Sequence, residues 1–248
     1  DAEPDGRVVN GVTYKNYWQF NKDDTFDVLV LWRSPNILHY DINARKIIVD
    51  MHDVSSPEVF TPEIIAKVDH VFLKSEYHRS LFPTVPEEKV VVLGNGIDLK
   101  RFEAMPLKVP TRFVYTSAPN RGLEVILDVW EAIRARIPDA ELHVYYGWKT
   151  FYELLKHDPT QMEWMEGMKR KLEQPGIINH GRVGQDELAR DLLQSSLWLY
   201  PTQFPEIHCI TALEMQAAGV VPITSGFAAL AETQKTGVKL PGDPKTTQ

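Results

Sequence analysis

Glu206 and Glu214, with seven residues between them, stand on either side of a predicted helix start in the segment Pro201-Thr-Gln-Phe-Pro-Glu206-Ile-His-Cys-Ile-Thr-Ala-Leu-Glu214-Met-Gln-Ala-Ala-Gly219-Val-Val-Pro-Ile-Thr224. A strand ends at Pro201, a proline-bearing loop follows, and a helix begins near His208 and stops before Gly219, which is placed as its C-terminal cap. The free N–H groups of about residues 208 to 211, with the helix dipole behind them, form a diphosphate site that needs no basic patch. Within the helix, Ile210, Leu213, Glu214 and Ala217 follow the i, i+3, i+4, i+7 spacing, so Glu214 is expected in the stripe that faces the protein. A carboxylate buried there without partners costs on the order of several kcal/mol. Either the two vicinal hydroxyls of a ribose or an interior Arg or Lys would satisfy it. Glu206 lies half a turn before the helix, where it reaches the hydroxyls of a sugar beside the diphosphate or serves as an ordinary capping glutamate.

The coincidence of the strand with its proline, the two carboxylates, the small residues before Gly219 and the strand carrying Pro222 resembles the Glu-x7-Glu motif of retaining GT-B glycosyltransferases, group 1 or family 4. The resemblance implies that Glu206 contacts the donor sugar, Glu214 the ribose, and the backbone amides of Ile207, His208, Cys209 and Ile210 the phosphates. Thr116-Ser-Ala-Pro-Asn-Arg121-Gly-Leu is similar to the family's loop ending in a basic residue plus Gly, which implies Arg121 as the group that stabilises the leaving diphosphate. That loop is short here and offers Ser117 where many members carry an Arg. His180-Gly-Arg-Val-Gly-Gln-Asp-Glu-Leu resembles the segment lining the base, implying Arg182 and Val183 there. His52, after Ile48-Val-Asp-Met, corresponds to a histidine the family places near the donor sugar. Val91-Val-Leu-Gly-Asn-Gly-Ile-Asp-Leu-Lys-Arg-Phe102 is similar to the segment closing the family's first domain. It reads as architectural, with Gly94 and Gly96 in a tight turn and Asp98 as a helix cap. Ser75 likewise caps a helix after Val71-Phe-Leu-Lys.

Short β-branched and aromatic runs that position these residues alternate with helical patterns: Asp27–Trp32, Lys46–Asp50, His70–Lys74, Lys89–Leu93, Thr111–Thr116, Glu141–Tyr146, Gly176–His180, Leu197–Pro201 and Val220–Thr224 as strands, and Leu123–Arg136, Gln161–Glu173, Gln185–Gln194 and Cys209–Ala218 as the clearest helices. Most strand runs are continuously apolar, the pattern of a parallel sheet covered on both faces. The expected class is α/β with βαβ crossovers, and with the resemblance GT-B-like: two Rossmann-like domains whose parallel sheets face across a cleft, the N-terminal one reduced. Met105-Pro-Leu-Lys-Val-Pro110 marks a boundary between an acceptor-side domain at 1–105 and a nucleotide-sugar-binding domain at 106–248, and a hinge there would let the cleft close. The family's Gly-rich loop after its first strand has no counterpart, as expected of a fragment or a shortened version.

With 27 basic and 34 acidic residues and a net charge of −7, the chain as a whole repels phosphate backbones, so nucleic acid is not an expected partner. A single cysteine, Cys209, excludes an internal disulfide and suits a cytoplasmic location. The longest apolar runs fall far short of the roughly 20 residues that span a bilayer, and residues 1 to 7 do not read as a signal peptide. The resemblance then implies transfer of a sugar, UDP- or GDP-linked, to the hydroxyl of a glycan or small-molecule acceptor with retained configuration. No cofactor and no metal are expected, because no Asp-x-Asp triplet occurs. A non-catalytic or partner-dependent nucleotide-sugar-binding module is the alternative; oligomeric state has no signature.

Overall fold

The structure, a computed structural model, describes residues 6–241; the outer ends of the expected domains, 1–5 and 242–248, lie outside them. The chain forms two compact units, one of residues up to Lys74 plus Arg79–Leu93, the other of Ser75–His78 plus the residues from Gly94 onward.

The first unit opens with a small antiparallel hairpin, β1 (Val8–Val9) and β2 (Val12–Thr13). Its sheet joins β3 (Phe26–Trp32), β4 (Ala44–Asp50), β5 (His70–Leu73) and β6 (Val90–Val92), all parallel and in sequential order. Ile47, Val49, Val71 and Leu73 pack with Met51, Ile64 and Phe82 into one core. Helix α1 (Pro62–Lys67) starts where its pattern demands: Thr61 Oγ1 accepts the Ile64 N–H and Pro62 fills the first turn. The continuous apolar run of β3 does not mean cover on both faces. β3 is an edge strand, and Val28, Val30 and Trp32 are 55%, 54% and 64% exposed. Its hydrophobicity is that of a strand half-buried through Leu29 and Leu31.

The second unit holds a six-stranded parallel sheet: β7 (Arg112–Tyr115), β8 (Glu141–Tyr145), β9 (Ile177–Gly181), β10 (Leu197–Tyr200), β11 (Val221–Thr224) and β12 (Val238–Lys239) in the order β12-β11-β10-β7-β8-β9. Strand order reverses between β7 and β10, and an open α/β sheet forms its ligand crevice at such a point, outside the carboxyl ends of the strands. The first unit's sequential sheet has no such reversal. Here the both-faces expectation holds, because β7 and β8 are buried almost throughout. Helices α3 (Leu123–Arg136), α4 (Lys149–Leu155), α5 (Pro159–Lys171), α6 (Gln185–Gln194), α7 (Ile210–Ala217) and α8 (Leu230–Thr233) accompany them. Between the units' sequences, α2 (Glu76–Ser80) starts on Ser75, whose hydroxyl accepts the His78 N–H, and the Glu232 carboxylate accepts the N–H groups of Glu76 and Tyr77.

Met105–Pro110 lies within the second unit's residues. Lys108 Nζ donates to the carbonyls of Ala218, Ser195 and Leu192 at 2.6, 2.8 and 3.4 Å, closing the C-terminal ends of α6 and α7 with one cation. The Val109 N–H donates to Gln194 O and the Ser196 hydroxyl to Val109 O. The half of this segment from Lys108 on is thus fastened down, while Met105 and Leu107 are almost wholly exposed.

Candidate active site

The loop after β7 and the loop after β10 leave neighbouring strands at the reversal point. Tyr115 ends β7, buried, and its hydroxyl donates to Ala118 O; the Arg121 N–H donates to the same carbonyl. The turn this makes delivers Arg121 beside the start of α3. Gly122, with φ +107°, is required there, because a Cβ would stand 2.8 Å from Pro201 O at the end of β10. The two loops are thereby in backbone contact.

That contact brings Arg121 onto Glu206. Arg121 Nη1 donates to Glu206 Oε1 at 3.1 Å, and the guanidinium carbon lies 3.6 Å from the Phe204 ring centroid. Tyr200 donates its hydroxyl proton to the same oxygen at 2.6 Å. Burial disfavours the Arg121 charge, but Glu206 and Tyr200 beside it outweigh that and hold the guanidinium above its ordinary value. Burial, then the Glu206 charge, pushes the Tyr200 phenol and the Cys209 thiol well up, so both stay protonated at neutral pH. Ser117, buried, lies near the Tyr200 hydroxyl and partly offsets that rise.

Helix α7 begins at Ile210, with Cys209 as its cap residue, two residues later than the sequence places it. Gly219 follows the cap with φ +69°, as expected, and the Val220 N–H returns to Met215 O. The N–H groups of Ile207, Cys209 and Ile210 donate to no backbone carbonyl among the described residues. His208 is tied in place: the Asn95 N–H donates to its Nδ1 at 3.2 Å and Asn95 Nδ2 to its carbonyl at 2.9 Å. Gly94 is needed for that close approach rather than for a turn, since a Cβ there would lie 2.7 Å from His208 Nε2.

The stripe expected to face the protein does not. Cys209, Ala212, Met215 and Ala218 form the buried face of α7, because the small residues fit closest to the sheet. Ile210 and Glu214 instead line a cavity of about 500 Å³ at the carboxyl ends of β7, β8 and β9. The Glu214 carboxylate has neither a hydrogen bond nor an ion pair among the described residues, so the interior Arg or Lys partner is absent among them. Burial raises its carboxyl above the ordinary value, partly offset by the Arg101 charge. Thr116, Arg182 and Val183 line the same cavity, as do Tyr145 and Tyr146.

Sequence reasoning missed four of these residues. Tyr200 and Phe204 were visible only as parts of a strand and a loop. Tyr146 lies at φ +91°, a strained conformation for a bulky residue, signalled only by the Gly147 that follows. Arg101 belongs to the segment read as architectural, yet Gly96, Ile97, Asp98 and Arg101 form one wall of the cavity. Asp98 does cap the short turn, accepting the Lys100 N–H, and that turn aims Arg101 at Gln185 Oε1 and Asp186 Oδ1, at 3.0 and 3.1 Å. His52 belongs to the first unit, where its Nε2 lies 3.0 Å from Asp50 Oδ2 and its ring stands edge-on to Trp32. Burial would raise the Asp50 carboxyl, but Lys74 and His52 outweigh it and hold that group low.

Solved structures share this arrangement of strands. Alr3699/HepE from Anabaena in complex with UDP-glucose aligns with TM-score 0.62 at 13% identity, over 88% of this chain and 66% of that one. Sucrose-phosphate synthase from Thermosynechococcus elongatus aligns with TM-score 0.64 at 15% identity, over 88% and 62%. The pneumococcal O-GlcNAc transferase GtfA with UDP and GlcNAc aligns with TM-score 0.62 at 13% identity, over 87% and 46%. The fold is that of the GT-B glycosyltransferases. The chain spans about half to two thirds of the length of these GT-B structures. No protein-family model and no curated protein matches the sequence. Among the described residues, no helix is long and apolar enough to cross a membrane.

Proposed function

We propose that this GT-B chain is a retaining glycosyltransferase of the Glu-x7-Glu type, moving a sugar from a nucleoside-diphosphate sugar to an acceptor hydroxyl in the cytoplasm. The observation that carries the reading is the meeting of Arg121 and Glu206 at the strand-order reversal, beside a cavity into which the unpartnered Glu214 opens. The HepE and GtfA structures hold UDP, which makes UDP-sugars the first donors to try and GDP-sugars the second.

In this reading the nucleoside occupies the cavity, with the base beside Arg182 and Val183 and the ribose hydroxyls donating to Glu214. The amides of Ile207 to Ile210 and Ser117 hold the diphosphate, and Arg121 neutralises the charge that grows on it. Glu206 orients the sugar. The C1–O bond of the donor breaks with its electron pair leaving on the diphosphate, the acceptor oxygen bonds to C1 on the same face, and the acceptor proton passes to a donor phosphate oxygen. The enzyme supplies no nucleophile; its contribution is positioning and charge stabilisation, without a metal.

Calorimetry with UDP-, GDP-, ADP- and TDP-sugars tests it. One donor is expected to bind saturably, and Arg121→Ala and Glu214→Ala each to weaken it by about tenfold or more, ~1.4 kcal/mol. Incubation with that donor and candidate glycans should then release nucleoside diphosphate together with glycoside. Binding without any glycoside would favour a nucleotide-sugar-binding module instead; no binding by folded protein would sink both readings.

A further inference from the structure

Tyr200 ends β10 six residues before Glu206, and its side chain is wholly buried against Trp198, the ring centroids 4.9 Å apart. Its oxygen sits at a junction. It donates to Glu206 Oε1 at 2.6 Å, with Arg121 on the same carboxylate oxygen at 3.1 Å. Arg121 donates to that same Glu206 oxygen, so Oε1 takes two charge-assisted bonds while Oε2 accepts from none of the described residues.

Arg121 has a competing claim on it. An incoming diphosphate offers a guanidinium two negative charges and a bidentate acceptor, against the single 3.1 Å contact to Glu206. Once Arg121 turns to the donor, the Glu206 carboxylate keeps one restraint, the phenol. We propose that Tyr200 is a positioning residue that holds Glu206 in its sugar-facing orientation when Arg121 passes to the donor diphosphate. The proposal rests on the glycosyltransferase reading above and deepens it. Tyr200 touches the sugar only through Glu206, so it bears on the sugar and hardly at all on the nucleotide.

The separation is measurable by titrating the full chain with UDP and with UDP-glucose, for the wild type, Tyr200→Phe, Glu206→Gln and the double variant. Tyr200→Phe keeps the ring and its stacking and deletes only the hydroxyl. Its UDP affinity is expected within about twofold of wild type, while UDP-glucose affinity and turnover fall about tenfold, the scale of a lost hydrogen bond to a charged group. The double variant should be no worse than Glu206→Gln alone. Equal losses for UDP and UDP-glucose, or additive effects in the double variant, would show a merely structural tyrosine and overturn the proposal. Should Tyr200→Phe fail to fold, a crystal structure of the wild-type UDP complex decides. Arg121 on the diphosphate with the Tyr200–Glu206 bond intact supports the inference, and Glu206 released by Tyr200 refutes it. Failure of the wild type to bind either nucleotide removes the glycosyltransferase reading itself, and this inference with it.

Discussion

The Glu214 carboxylate is half-buried and has no hydrogen-bond partner among the described residues. Burial favours the neutral carboxyl, so the folded chain grips this proton more tightly than the unfolded chain does. The stability tied to it is therefore fully present at acid pH and is lost as pH rises from the ordinary carboxylate range through the raised folded value. Glu214→Gln is expected to stabilise the protein at pH 7 to 8 by about 0.5–1 kcal/mol, with the gain vanishing below about pH 4, and to weaken donor binding. Thermal melts from pH 4 to 8 check this; a loss of stability at neutral pH would mean that the Arg101 charge governs the group. Tyr146 makes a parallel case. Its positive φ is strained for a tyrosine, so Tyr146→Gly should raise stability by about 1 kcal/mol while nucleotide affinity falls, read by denaturant titration beside calorimetry.

At the scale of elements, the join between the loops after β7 and β10 is the part least tolerant of change. Gly122→Ala places a Cβ against Pro201 O at a φ that L residues avoid, and a loss of about 1–3 kcal/mol is expected, together with a loss of donor binding as Arg121 moves. Urea unfolding and calorimetry on the variant test both. Lys108→Met should cost about 1–3 kcal/mol, since three carbonyls at the ends of α6 and α7 lose their donor. The same elements show what a sequence reveals. The strands from β3 to β11 are readable because short apolar, β-branched runs mark a strand whether one face or both are covered, and the ends of α6 because an amphipathic helix has a period. Glu206 and Arg121 can be placed in the loops after β10 and β7 from the strands that precede them, but their 3.1 Å contact has no local signal. The buried face of α7 is not, because Ala212, Cys209 and Ala218 carry too little hydrophobicity to outvote Ile210 and Leu213, and only packing distance to the sheet chooses them. Arg101 and Tyr200 escape for another reason: each acts through residues about eighty positions away or across a turn, a relation with no local period.

Across the whole molecule, two separate cores predict two steps in unfolding. Trp130 and Trp198 are buried in the second unit, whereas Trp18 and Trp32 are exposed in the first, so emission from buried tryptophan follows the second unit. A bound nucleotide should raise only that transition, by about 2.7 kcal/mol at a hundredfold excess over Kd; a single transition moving as one would reject independent cores. The division of the chain also imposes an order on synthesis. Ser75–His78 belongs to the second unit, and Glu232, whose carboxylate caps it, follows Glu76 by 156 residues. A ribosome adding roughly 5–20 residues per second makes Glu232 about 10–30 s after that segment emerges. For that interval the short helix start keeps its Ser75 cap but lacks the Glu232 carboxylate on its first two N–H groups, while the first unit's last strand, on the far side of it in the chain, gains its partners, so a chaperone or protease meets a partly capped N-terminal turn before the second unit can claim it.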